Sequence, residues 1–512
     1  MTGNHARSAS LLASLAQAQP QDVDLARKAL GEAIGAGQMD LALNLARSVP
    51  PQRLTSEARM LLATDEIRRR RTDRAVEWLS LKGENGDLAF LVPLVKAWDQ
   101  AESGDLNRAI QEVDAIPNNS LLTPLKAEQR ALILLKFRRT AEAEPFARQA
   151  IGGAGNREIR LRLALADGFL AAGDRTRALA MVEDMPADVS ATRQRVLAGK
   201  PSGEAIDTMN EAMGETLLAF ASDLIRLQRS SAPIGLVQVA RYADPQNANA
   251  ALLLALLLDE ADRSDEALAL LNSIPRDDAL IGQVRDATVR ILSDKKRYGE
   301  AYAIAAPAAA APGAGPDDFS RLGDLLQAME RRNEAADAYG RAIALANAQG
   351  VKTDLWTLLL FRASALEEAG RWPEAKQALE QGLAVAPDQP LLLNYLGYGK
   401  LERGEDIDSA EAMIRKASQL APDDASITDS LGWAQYKRGK VAEAIATLQK
   451  AAEKDPDQAE IQEHLGDALF KSGRRFEARF AWQAALVTAE DEIAARVKAK
   501  LASGLTAANA AP

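Results

Sequence analysis

The chain has 512 residues, with 62 Lys and Arg against 72 Asp and Glu, a net charge of −10, no cysteine and two histidines, His5 and His464. Thiol catalysis, disulfides, Cys-ligated zinc and iron–sulfur clusters are therefore excluded, a His-rich metal site nearly as firmly, and the acidic balance argues against binding a phosphate backbone. Hydrophobic residues make up 47% of the chain but aromatic ones only 4%, so the apolar content is mostly Ala and Leu, which suits helices packed at short distances.

In chain order, 1–19 holds one short helix, SASLLASLAQA. Arg7 before this apolar run and Ala16-Gln17-Ala18 after it resemble a secretion signal, but three serines interrupt the run, and a helix is the expectation. The next helix, DVDLARKALGEAIGAG, opens a repeat. Its small-residue marker recurs at Ala42, Ala75, Ala109, Ala143 and Ala178, in steps of 33, 34, 34 and 35, and again at Ala267, Ala301, Ala335, Ala375, Ala410, Ala444 and Ala478. A period near 34 over most of the chain signals a repeat architecture. The gap of 89 between Ala178 and Ala267 fits one degenerate unit near Gly235 plus an insertion at 186–210, a connector or distorted unit.

Each unit reads as two helices. In the best-formed unit SITDSLGWAQYKRG is the first helix, ended by Gly439, and VAEAIATLQKAAEKD is the second, stopped by Pro456. Gly432, Ala444 and Ala451 let neighbouring helices approach closely. Ala305–Pro316 reads as a long turn after the helix containing Tyr298 and Tyr302. The longest apolar run, Ala250–Leu258, falls far short of the roughly 20 residues needed to span a bilayer. At the end, AEDEIAARVKAKLASG has acids first, Lys498 and Lys500 last and Gly504 as a stop, which predicts a solvating cap helix over 489–504 and a frayed tail over 505–512.

The phrases NYLGY, DSLGW and HLGD head three successive units between Leu391 and Leu486, each followed by the spaced alanines and a proline on the 34-residue period. This pattern resembles the tetratricopeptide repeat (TPR) family. The resemblance implies an all-α fold, a right-handed solenoid of about twelve or thirteen helix-turn-helix repeats. The expected divisions are a degenerate N-terminal array over 1–185, the connector, a C-terminal array over 211–488, the cap helix and the tail. From Gly214 to Leu486 the chain is also similar to bacterial envelope-associated TPR adaptors, including lipoprotein partners of a carboxyl-terminal processing protease, although the anchor cysteine of such lipoproteins is absent. The chaperone-binding subset of the family is not matched, because Tyr398, Trp433 and Asp467 stand after LG where Asn is needed.

Other motifs have plainer readings. Gly152, Gly153 and Gly155 lack the spacing and the preceding strand of a dinucleotide loop and read as a turn between repeats. Arg68–Arg71 reads as a solvated helix end. His464 reads as a half-buried structural residue, and paired acids such as Asp423-Asp424 as helix caps. We therefore expect no catalytic residue, no cofactor and no metal site.

Function is then expected on the inner face that the first helices build. Helical phase places Asp429, Trp433 and Tyr436 on one face, with Asn394 and Tyr398 before them, Glu463 and Asp467 after them, and Asp324 further upstream. Aromatic anchors among acids suit a protein or peptide partner carrying basic segments. The competing expectation for Trp433 and Tyr436 is that they pack against the next repeat. The expected function is a non-catalytic protein–protein interaction scaffold, an adaptor binding a partner in the concave groove. The alternative is the substrate-recognition array of a multi-protein enzyme complex, for example an envelope protease or glycosyltransferase system. Neither nucleic acid nor transmembrane insertion is expected. The expected compartment is the cytoplasm as the chain stands, or the periplasm if an upstream or weak N-terminal signal is used.

Overall fold

The computed structural model describes residues 5–82, 87–185, 190–227, 233–350 and 355–511. Among them every regular element is a helix, and successive helices pair into thirteen hairpins between Val23 and Thr488. Before these lies a helix at His5–Ala18, with Ala9, Ala13 and Ala16 buried. After them comes a last helix at Asp491–Ser503. The expected all-α repeat array is what the chain forms. Among the described residues no helix is long and apolar enough to cross a membrane.

Small residues hold each hairpin together. The twelve alanines of the 34-residue series, from Ala42 to Ala478, are all 0% exposed. The glycine of LG does the same work from the other helix: a Cβ on Gly432 would lie 2.6 Å from Cγ of Leu448, inside the contact limit of real side chains. A hairpin packed this tightly still leaves an apolar stripe uncovered, so stacking on the next hairpin completes the core.

The turn inside the hairpin needs one residue with positive φ. Gly439 supplies it at φ 77, and the turn closes with Gly439 N–H donating to the Tyr436 carbonyl and Lys440 N–H to that of Gln435, each at 2.9 Å. Five hairpins place a charged residue there instead: Arg70, Arg138, Asp262, Lys296 and Glu330, all with φ of 57 to 58.

The chain divides into two compact units, Met1–Ala301 and Tyr302–Pro512. In the first, residues 201–227 and 233–263 lie against the ends of the first helices of the five opening hairpins. Arg263 donates to the Gly35 carbonyl at 3.2 Å, and the Tyr242 hydroxyl to Asp65 at 2.9 Å. Met209 N–H donates to Glu102 at 2.7 Å, Lys136 to the Asp207 carbonyl at 2.9 Å, and Ser202 N–H to Asp167 at 2.6 Å. Arg68, at the start of the basic run, donates to the Tyr242 carbonyl at 2.6 Å and sits over the Tyr242 ring. That arginine stays exposed at the helix end, as expected, and also ties two segments of the unit together. Beneath these contacts Arg157 and Arg160 are buried and paired with Glu128, Glu204, Glu215 and Asp244.

The insertion has a definite place in this arrangement. Residues 186–189 lie outside the described residues, but Ser190–Leu197 is a helix, and 202–204 present three backbone N–H groups to the Asp167 carboxylate. The degenerate unit that follows is the hairpin of Met209–Arg226 and Ile234–Ala243, where a Cβ on Gly235 would lie 2.8 Å from the Glu57 carboxylate, which would have to swing aside.

Two sequence expectations need correction. Ala305–Pro316 is not one long turn. The helix Tyr298–Ala309 runs through Pro307, carried by flanking alanines, and the break is confined to 310–315. The tail is not frayed as far as it is described. Asn509 donates to the Gly504 carbonyl at 3.0 Å, and Ala511 N–H donates to Asp467 at 3.1 Å.

Candidate functional site

In the second unit four first helices follow at repeat spacing: Leu355–Glu368, Pro390–Glu402, Ala425–Lys437 and Ala459–Lys471. Their inner sides border a cavity of about 410 Å³. Leu360, Phe361, Leu391 and Tyr395 form its apolar part, and Asn394, Tyr398, Ser426, Asp429, Gln458 and Glu460 its polar part. Phe361 and Leu391 are 41% and 44% exposed, although each is a large apolar side chain.

The polar part holds acceptors with nothing to accept. Asp429 is 5% exposed. Its Oδ2 is 2.8 Å from Nδ1 of the fully buried His464, while its Oδ1 has no hydrogen-bond partner, and neither has Oδ1 of Asn394. Burial resists charging His464, but Asp429, Glu460 and Asp467 outweigh it and raise the imidazole pKa. Burial also raises the Glu460 pKa, and the nearby carboxylates of Asp429, Glu402 and Glu463 push it the same way against His464. The Tyr398 hydroxyl is driven well above the usual phenol range by burial and by Glu402, Glu460 and Asp429. A carboxyl such as Glu460, raised by burial and by neighbouring carboxylates, marks a site short of positive charge.

The expected site residues divide into three groups. Asn394, Tyr398 and Asp429 come together on the cavity. Trp433 does not face it: the ring is 0% exposed, stacked on His464 at 4.0 Å and on Tyr436 at 4.6 Å between centroids. Trp433 thus packs on His464 of the next repeat, while Tyr436 is half-buried beside Trp433 on the same helix. Glu463 and Asp467 are likewise withdrawn from the surface. Lys500 of the last helix lies 2.6 Å from Glu463 and 2.7 Å from Asp467, and Trp482 Nε1 donates to Asp467 at 2.9 Å. All three charged side chains are 0% exposed. Lys500 thus turns inward, and its role is ion pairing as well as helix-dipole complementation. Asp324 is exposed, accepts from the Tyr339 hydroxyl at 2.7 Å and does not line the cavity.

Leu391, Ser426 and Glu460 escaped the sequence reading although a signal was present. Each stands three residues before a chosen residue, Asn394, Asp429 or Glu463, and so shares its helical face one turn earlier. The usable face runs toward the helix N-termini because the last helix covers the following turn at Glu463 and Asp467.

These features define a helical-hairpin repeat protein with an open cavity on the inner side of its second unit. The profile of the TPR repeat matches residues 432–473. The TPR repeat-containing protein PA4667 of Pseudomonas aeruginosa is 37% identical over 87 residues, a match spanning 17% of this chain and 15% of that protein. Among solved structures, yeast Tom70 is 12% identical, with 81% of this chain and 95% of that one covered and a TM-score of 0.39. The APC/C hetero-tetramer Cut9-Hcn1 is 15% identical, with 98% and 99% covered and a TM-score of 0.38. YrrB, a TPR protein with an unusual peptide-binding site, is 18% identical, with 36% and 91% covered and a TM-score of 0.28. Residues 432–473 thus match a tetratricopeptide repeat, within a chain that folds as an array of helical hairpins.

Proposed function

We propose that the chain is a non-catalytic adaptor that holds an extended segment of a partner protein against the cavity of its second unit. One contrast carries this reading. In the first unit residues 201–227 and 233–263 already occupy the ends of the first helices. In the second unit the corresponding helices leave Phe361 and Leu391 exposed beside acceptors that have no partner. Exposed large apolar groups next to unmet polar ones mark a surface that is completed by binding.

The test is selection from a random peptide display library on the full chain, followed by affinity measurement against Phe361→Asp and Leu391→Asp. Both positions are exposed, so the fold should tolerate the changes. Selected peptides should bind each variant at least tenfold more weakly. A set of peptides that binds both variants as tightly as the parent chain would remove the cavity from the function.

A further inference from the structure

The cavity carries a more specific message than peptide binding, and the following rests on the reading just given. Asp429 is a buried carboxylate with only one oxygen satisfied: Oδ2 meets His464, and Oδ1, on a cavity-lining residue, meets nothing. Asn394 contributes a second unpartnered acceptor, from the preceding hairpin. Glu460, half-buried, contributes a third acceptor group from the following hairpin. Among the described residues no Lys or Arg pairs with Asp429 or Glu460. The nearby cations are committed elsewhere. Lys454 donates to Thr428 Oγ1 at 2.9 Å, and Arg496 and Lys500 are held by Glu463.

A buried acceptor left unmet is costly, more so when it is charged, and a group that satisfies all three is a multiple donor, best a cationic one. The acceptors also come from three different helices. A compact ammonium meets such a spread poorly, whereas the planar guanidinium offers five N–H donors in a fixed fork and stacks well beside tyrosine rings such as those of Tyr395 and Tyr398. We infer that Asn394, Asp429 and Glu460 form a seat for an arginine side chain of the partner, with Phe361 and Leu391 taking a bulky apolar residue of the same segment.

The probe is N-acetyl-arginine amide, titrated into the full chain by ligand-observed NMR beside the lysine and citrulline amides. Citrulline keeps the shape of arginine and loses the charge. Saturable binding of the arginine amide is expected, at least fivefold tighter than the lysine amide, with none for citrulline. Glu460→Gln and Asn394→Leu should each weaken it at least tenfold. Neither residue has an ion pair to lose, so the fold should survive, and circular dichroism checks this. Equal behaviour of arginine and citrulline amides, no binding of the arginine amide, or affinity unchanged in both variants would overturn the seat. If the seat fails while display still yields cavity-dependent peptides, the groove stands and its chemistry is different. If display yields only cavity-independent peptides, the groove reading itself fails.

Discussion

The ammonium of Lys500 lies 2.6 Å from Oε1 of Glu463, and neither side chain is exposed. One residue of the last helix thereby closes the end of the array and withdraws two acids, Glu463 and Asp467, that their helical phase would otherwise present to a partner. Removing a single partner from a buried ion cluster leaves uncompensated charge. Lys500→Met should therefore destabilise the C-terminal hairpin by about 3–5 kcal/mol. Urea unfolding followed by Trp482 fluorescence measures this, and a loss below about 1 kcal/mol would mean that the pair is solvated.

Gly432 packs where the Leu448 side chain leaves no room for a methyl group. Gly432→Ala should cost about 1–3 kcal/mol by overpacking, despite the better helix propensity of alanine. The double variant with Leu448→Ala relieves the clash, so non-additivity in a double-mutant cycle is the expected result.

Glu330 occupies the left-handed position of its turn at φ 58, where a Cβ is unfavourable by about 1–2 kcal/mol. Glycine removes that strain but loses about 0.5–1 kcal/mol of chain entropy. Glu330→Gly should therefore stabilise the second unit by up to about 1 kcal/mol, seen as a rise in Tm. A fall in Tm would show that the Glu330 side chain contributes contacts that outweigh the strain.

Burial pushes the Glu204 carboxyl up to about 7, and Asp278 and Glu215 add to the shift while Arg160 opposes it. The folded state then holds a proton that the unfolded state releases near 4.5. The contribution of Glu204 to stability is fully present at low pH and is lost as pH rises toward 7. Hydrogen-exchange protection of the 202–207 amides should fall over that window in the parent chain and stay level in Glu204→Gln.

Affinity of the seat for arginine should rise with pH. Burial raises the Glu460 pKa, with Asp429, Glu402 and Glu463 adding to the shift and His464 opposing it, so Glu460 gains charge above the usual carboxylate range. His464, also raised, loses its positive charge at a pH above 6.5 and ceases to neutralise Asp429; Glu460 and Asp467 are the other acids facing it. Both changes make the cavity more negative. The arginine amide should bind more tightly at pH 8 than at pH 5, and the reverse order would contradict the assigned charges.

The repeat was legible because it is local. A hairpin needs a small residue where its two helices cross and a left-handed residue at its turn, so alanine and glycine recur every 34 residues, and the face of each first helix follows from phase alone. Phase alone picks out Asn394, Tyr398 and Asp429, which line one cavity. Tertiary structure decided which faces remain open. Residues 201–227 and 233–263 cover the first-unit helices from far along the chain, Lys500 covers Glu463 and Asp467, and His464 and Tyr436 enclose Trp433. Periodicity gives the direction of a side chain from its own helix, whereas burial depends on what another segment brings to it. The same acid is a partner-binding candidate at Asp429 and a structural ion at Asp467 for that reason alone.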